Sequence, residues 1–363
     1  MAGEYNFTGN RFGKDNAGND QRGLMLKVWS GEVLDLWTQN CLMQNLVNVR
    51  NVGKGVSSAK FPLYGSGAAV YHTPGANLLE AASSYLNNFK FSERTITLDN
   101  MLVAPTVVHD IDELLTFWDQ RSRVTKELVE ALAIKFDKTA IYTMIAASFG
   151  TNPISQTSRN GTALSGEAIT TATAGSVTGA QLLEALRSAQ IKLDNKDVPA
   201  SGRFCILRPE QYSDLVSAAT GGGLASYPAV FSRDYGSGVG DPAKGTAGPL
   251  NVYGFNIYKV NWSPRDVDLS ADTTWTGSYN SNGSGNVQND PFGSSGVGYG
   301  ADLSDIFGVC GHGDAVGCIT RMETTIETQR KTELQGDLIV AKKVFGMNVL
   351  RPECAIRLAW TAG

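Results

Sequence analysis

Asp110-Ile111-Asp112-Glu113-Leu114-Leu115-Thr116-Phe117-Trp118 opens the longest helical pattern in the chain, and the fold is read outward from it. Ile111, Leu114, Leu115 and Trp118 recur on one face, and Asp110 with Glu113 makes a capping-box-like pair. The pattern continues, with breaks allowed, through Leu128, Leu132, Phe136 and Ile141 to Ala147. At about 1.5 Å per residue such a helix spans roughly 55 Å, longer than most globular helices. A connector rich in Gly, Thr and Ser, from Gly150 to Val177, ends it.

Downstream, Thr178 opens an amphipathic helix through Leu182, Leu183, Leu186, Ala189 and Leu193, and Val198-Pro199 stops it. Arg203-Phe204-Cys205-Ile206-Leu207 reads as a buried strand, and Pro209 starts a short helix carrying Tyr212 and Leu215. Gly254 to Val260 is another strand. The Gly-, Ser- and Asn-rich stretch from Asp266 to Asp302 reads as a long surface loop. From Thr324 to Gly336, Ile326 and Leu334 alternate with Glu327, Gln329, Lys331, Glu333 and Gln335, which predicts a long half-exposed strand or ribbon. The chain then breaks at Pro352 and ends in one more strand. Helices and strands in this order make an α+β protein.

Upstream, Met1 to about Gln21 is polar and reads as a flexible arm. Leu34, Trp37 and Cys41 recur at helical spacing, and Trp29 and Trp37 need something to bury against, either this chain's own core or a neighbour. Between Asn51 and Asp99 the pattern turns to short β-like pieces. Ala59 to Leu63 and Ala68 to His72 run out to a turn at Thr73-Pro74-Gly75, and Phe89 to Leu98 returns. This two-stranded excursion carries little apolar content of its own. An isolated hairpin is only marginally stable, so the excursion is expected to pack on something else.

Composition narrows the function. The 363 residues are too many for one small core, and 42 % hydrophobic content can bury a sizeable one. Forty glycines and 18 % charged residues indicate many turns and loops. A net charge of −4, with no basic stripe, argues against a protein that grips nucleic acid in a groove of its own. No secretory leader or membrane span is expected, since no run nears the about 18 apolar residues a span needs. The five cysteines, Cys41, Cys205, Cys310, Cys318 and Cys354, are scattered through apolar segments and read as buried free thiols in a reducing compartment.

No active site is legible. The three histidines are His72, His109 and His312. Cys310, His312 and Cys318 fit no standard zinc spacing and lack a fourth ligand. His312 with Asp314 has no nucleophile motif beside it. Gly53-Lys54-Gly55 and Gly65-Ser66-Gly67 lack the Gly-Lys-Ser/Thr ending of a phosphate loop and read as turns. Asp110, Asp112 and Glu113 are explained by a helix N-terminus, and Phe117-Trp118 by core or interface. No catalytic residue, cofactor or metal is assigned.

One family resemblance runs from about Leu24 to the C-terminus. Its landmarks, in order, are Leu26-Lys27-Val28 with Gly31-Glu32-Val33-Leu34; Tyr71 with Pro74-Gly75 and Asn77-Leu78; Ile96-Thr97-Leu98-Asp99; Asp110-Ile111-Asp112; and Asp119-Gln120-Arg121-Ser122. They continue with Val198-Pro199, Arg203, Pro209 and Tyr212; Gly254-Phe255; Ala315-Val316-Gly317; and Leu350-Arg351-Pro352-Glu353. In this the chain resembles the major capsid proteins of T-seven-like podoviruses, which have the HK97-like capsid fold. The extreme N-terminus and the 266–302 insert depart from the pattern.

The resemblance implies an N-terminal arm over 1–48, an extended loop over 49–98 lying across an adjacent subunit, and a peripheral domain over 99–176 with its spine helix at 110–147. It implies an axial domain over 177–317 carrying the 266–302 insert, peripheral-domain strands over 318–350, and a last strand over 351–363 returning to the axial domain. It places subunit contacts at Trp29, Trp37, Lys60, Tyr71, Pro74, Gly75, Asn77, Arg94, Asp110, Asp112, Trp118, Arg121 and Arg351. Hexamers and pentamers would close an icosahedral shell around double-stranded DNA without sequence-specific binding. Scaffolding and portal proteins would assist in the host cytoplasm, a precursor would expand to the mature virion head, and a decoration protein could sit outside. Cross-linking of subunits by Lys–Asn bonds, known in some relatives of this fold, finds no matching apparatus here. An encapsulin-type compartment of the same fold, separable by its genomic neighbours, is the alternative. A hydrolase built on His312 and Asp314, and a fibre component, fit less well.

Overall fold

The computed structural model describes residues 41–65, 67, 69, 71–75, 77, 79, 90–114, 120–154, 157–159, 161–173, 177–216, 250–260, 289–292, 299 and 302–361. Trp29, Trp37 and Trp118, and the helix expected around Leu34, lie outside them. In chain order the strands and helices are β1 (Asn48–Asn51), β2 (Ser58–Tyr64), β3 (Phe91–Thr97), β4 (Leu102–His109), α1 (Asp110–Leu114), α2 (Gln120–Phe149), β5 (Glu167–Thr173) and α3 (Gly179–Asn195). They continue with β6 (Arg203–Leu207), α4 (Pro209–Val216), β7 (Leu250–Val252), β8 (Phe255–Lys259), β9 (Ile306–His312), β10 (Val316–Lys331), β11 (Gly336–Val349) and β12 (Ala355–Thr361). The chain divides into two compact units, one of 1–42, 100–137 and 321–345, the other of 43–99, 138–320 and 346–363.

In the first unit β11 pairs antiparallel with β4, from Gly336 opposite His109 to Lys343 opposite Leu102. One face of this pair takes the start of α2, where Val108 and Ile339 pack on Val124 and Leu128. Phe136 meets Phe345 edge to face at 5.0 Å, and the Lys343 ammonium lies 4.4 Å from the centre of the Phe136 ring. The expected ribbon at 324–336 is not one strand. β10 ends at Lys331, a 3-10 turn takes Thr332–Leu334, and Gln335 adopts the left-handed region at φ 46° before β11 begins. Residues Glu323–Arg330 are exposed on both faces, so the apolar alternation there buries nothing within the chain.

In the second unit six strands form one sheet in the order β5-β12-β9-β6-β8-β7. β12 lies parallel to β5, and β8 parallel to β6, while the other pairings are antiparallel. β6 is buried along its whole length, as its apolar run predicts for an interior strand. α3 covers the sheet with Leu182, Leu186, Ala189 and Leu193, and its start is fixed by a capping box between Thr178 and Gln181. β7 and β8 are joined by Tyr253 (φ 51°) and Gly254 (φ 78°), two left-handed residues of the kind that matches strand twist in a tight hairpin. The last part of α2 is buried all round. Its Thr143 and Ser148 hydroxyls donate back to the carbonyls of Thr139 and Ile145, so these two buried hydroxyls are paired.

Three other expectations change. The 150–177 connector contains β5, an edge strand whose small and threonine residues give no apolar signal. The 266–302 stretch is not wholly at the surface, because Asn289 and Tyr299 are 3 % and 4 % exposed. The hairpin does have a core: Phe61, Leu63 and Ile96 are buried with Ile154, Ile319 and Leu350 of this same chain.

Candidate assembly surface

β2 and β3 pair antiparallel from Ser58 opposite Thr97 to Tyr64 opposite Phe91. Side chains alternate across the pair, so Phe61, Leu63 and Ile96 point to the core and Lys60, Pro62, Tyr64, Phe91 and Glu93 to the other side. On that outer side Tyr64 and Phe91 are 72 % and 81 % exposed. Lys60 and Glu93 form an exposed ion pair beside them, worth little to stability but fixing a charged border to an apolar patch. Beyond the strands Tyr71 is fully exposed, and Leu79 is exposed with its backbone N–H held by the Asn77 carboxamide at 3.0 Å. Pro74 and Gly75 form the turn that their sequence predicted. The hairpin is thus two-sided, with one side built into its own unit and the other presenting aromatic rings to solvent.

The other expected contact residues scatter. Asp110 accepts both guanidinium nitrogens of Arg330, at 2.8 and 2.5 Å, with Asp337 3.7 Å from the same group. It therefore joins the start of α1 to the β10–β11 ribbon within the first unit. Asp112 is buried inside that unit, which leaves no surface for a neighbour, while Ile111 and Leu114 of the same short helix are exposed. Arg94 sits on the half-buried inner side of β3, opposite Phe61. Arg121 belongs to α2, but its side chain lies outside the described residues.

Arg351 lines a cavity of about 340 Å³ with Leu63, Asn152, Ile154, Lys196 and Glu353. Burial raises the Glu353 carboxyl, which accepts from Asn152 at 3.1 Å. Lys196 is engaged by the Ser165 carbonyl and Glu167, both at 2.7 Å, and presents no free charge to the cavity.

The pairings considered for catalysis have structural explanations. His312 caps a 3-10 turn by accepting from the Asp314 N–H at 3.2 Å. Cys310 donates to Cys205 at 2.8 Å across β9 and β6. Among the described residues no three His, Cys, Asp or Glu side chains gather as metal ligands, and no helix is long and apolar enough to cross a membrane.

A helix-covered mixed sheet together with a hairpin that exposes aromatic rings defines a class when the fold is compared with solved structures. The chain is similar to the capsid protein of cyanophage P-SCSP1u, with a TM-score of 0.69 and 29 % identity over 99 % of this chain and 100 % of that one. The mature capsid of bacteriophage PhiM1 shares the fold, with a TM-score of 0.63 and 16 % identity over the full length of both. This is the HK97-like fold of phage capsids. The profile of the Gp10A-like family, described as major capsid protein, matches residues 60–359, and the chain belongs to that family. It is 28 % identical to the major capsid protein of Escherichia phage T7 over 355 residues, 93 % of this chain and 92 % of the relative. Its work is therefore structural, as the protein from which a tailed-phage capsid shell is built, and the encapsulin alternative gains no support.

Proposed function

We propose that the chain assembles as hexamers and pentamers into an icosahedral head, with the 49–98 hairpin of each copy laid on an adjacent copy. The observation that carries this is the opposed Tyr64 and Phe91 pair, exposed on a hairpin whose other face is already buried in its own unit. Contacts that map one patch onto a different patch of the next copy close into rings, and many modest contacts per subunit sum to a durable shell. In this reading 1–48 is the arm, and 99–176 with 318–350 forms the peripheral domain. Residues 177–317 with 351–363 form the axial domain around the symmetry axes.

Scaffolding and portal proteins take part while the shell forms in the host cytoplasm, a rounded precursor expands, and no reaction is catalysed. The net charge of −4 suits a container that holds double-stranded DNA without adhering to it. Electron microscopy of the purified protein, expressed with and without the neighbouring scaffold gene, tests the proposal. Closed shells or six- and five-membered rings are expected. Monomers or dimers alone, in both preparations and across salt, would overturn it.

A further inference from the structure

The root of the hairpin is held by residues far from it in the chain. Asp99 lies two residues past the end of β3. Its Oδ1 accepts the Asn289 side-chain amide at 2.9 Å and the Asn289 backbone N–H at 3.2 Å. Its Oδ2 accepts the Tyr299 hydroxyl at 2.6 Å. The Asn289 carboxamide also serves both backbone groups of Thr97: its oxygen accepts the Thr97 N–H at 3.2 Å, and its nitrogen donates to the Thr97 carbonyl at 2.7 Å. Leu98 N–H bonds Ser57 on the β2 side, so by strand alternation the Thr97 groups point away from β2. There the Asn289 amide stands in for a neighbouring strand.

Tyr299 joins a third segment to this clasp. With its one proton directed at Asp99, its oxygen accepts the Met347 N–H at 3.0 Å. Burial and the Asp99 carboxylate both push the Tyr299 hydroxyl well above its ordinary value, so it stays a donor. Beside Met347, a Cβ on Gly346 would fall 2.0 Å from the Thr97 carbonyl oxygen and 3.0 Å from Asn289 Nδ2. Only glycine lets β11 run this close. Every member of the clasp belongs to the second unit, as does the hairpin. Asn289 and Tyr299 both come from the Gly-, Ser- and Asn-rich 266–302 stretch.

We infer that Asn289 and Tyr299 are positioning residues for assembly: through Asp99 and Thr97 they fix the direction in which the hairpin leaves its unit, and so how Tyr64 and Phe91 meet a second copy of this chain. The inference rests on the hairpin's proposed role between subunits. A stability role alone would loosen the whole unit. A positioning role loosens the hairpin root first, because buried hydrogen bonds to charged groups there are lost while the Phe61–Ile96 core remains.

Hydrogen exchange on unassembled full-length protein separates the two roles, with Asn289→Ala and the near-isosteric Tyr299→Phe as variants. Exchange at Thr97, Leu98 and Met347 should accelerate about tenfold or more in each variant, with α3 and β6 amides unchanged. Shell yield by electron microscopy should fall in parallel. Unchanged exchange at those three amides in Tyr299→Phe, or equal acceleration throughout the unit, would overturn the inference. So would wild-type shell yield from both variants. A Tyr64→Ser/Phe91→Ser protein serves as the reference for the hairpin itself. If it still forms normal shells, the subunit-bridging role fails, whereas the exchange result on free protein still reports the clasp.

Discussion

Lys196, whose side chain has no exposure at all, reaches Glu167 at 2.7 Å, and Lys192 takes the other oxygen of the same carboxylate at 2.8 Å. The pair ties the end of α3 to the edge strand β5. Glu167→Gln removes the carboxylate bonded to the buried ammonium, a change that costs several kcal/mol in dry sites. Glu167 is partly open to solvent, so a loss of about 2–3 kcal/mol is expected here. Lys196→Met, which removes the buried charge instead of orphaning it, should cost less. Urea unfolding of the two variants checks the order, and a larger loss for Lys196→Met would refute it.

The same carboxylate makes stability fall in acid. Burial works to raise the Glu167 carboxyl, but the bonds and charges of Lys192 and Lys196 outweigh it and hold the group below its ordinary 4.5. A group lowered by folding stabilises the native state above its unfolded value, and that contribution is lost as pH falls through the lowered one. The gap in urea midpoint between wild type and Glu167→Gln should therefore be steady near neutrality and close below 4.5. Alkaline pH does not mirror this. Burial lowers Lys196 from 10.5 despite its partner, so the cost of the buried charge fades as pH rises. An offset that stayed constant down into acid would show that Glu167 is not its source.

On the hairpin, the Tyr64 and Phe91 rings add almost nothing to the isolated fold, since their side of the strand pair faces water. Replacing both by serine should change unfolding free energy by no more than about 0.5 kcal/mol, as for ordinary surface positions. Closed shells should nevertheless fail to form. Thermal unfolding of the unassembled variant, set beside electron micrographs, distinguishes the outcomes. Normal shells, or a large stability loss, would contradict a surface reserved for a neighbour.

What the sequence revealed and concealed follows from how far each signal reaches. α3 was legible because its cap (Thr178 with Gln181), its apolar stripe and its Val198-Pro199 stop all lie within one short window. The hairpin was legible as a hairpin, but not its buried face. The partners of Phe61, Leu63 and Ile96 are Ile154, Ile319 and Leu350, and no local pattern announces contacts so distant in the chain. The turn at Thr332–Gln335 escaped notice because a glutamine, not Gly or Asn, occupies its left-handed position. Asn289 and Tyr299 were hidden for a related reason. A Gly-, Ser- and Asn-rich stretch has no period, and its buried residues are selected by hydrogen bonds to Thr97, Asp99 and Met347 rather than by apolar character.

Thiol chemistry offers a last test of the packing. Cys205, Cys310, Cys318 and Cys354 are buried, and burial pushes the Cys310 and Cys354 thiols up, so the reactive thiolate is scarce as well as shielded. Cys41 alone is partly exposed, and its thiol donates to Asp137 Oδ1 at 2.8 Å. The Asp137 carboxylate holds the Cys41 thiol in a hydrogen bond, so even Cys41 should react more slowly than a free cysteine. Titration of unassembled native protein with an aromatic disulfide reagent should thus find one slow thiol, and denatured protein all five. Asp137→Asn should quicken Cys41 without exposing the others, because an amide oxygen accepts the thiol more weakly than a carboxylate while still serving the Leu42 N–H that Asp137 now accepts at 2.7 Å. Two or more rapid thiols in the native wild type would mean that the strands carrying these cysteines open more readily than their burial implies.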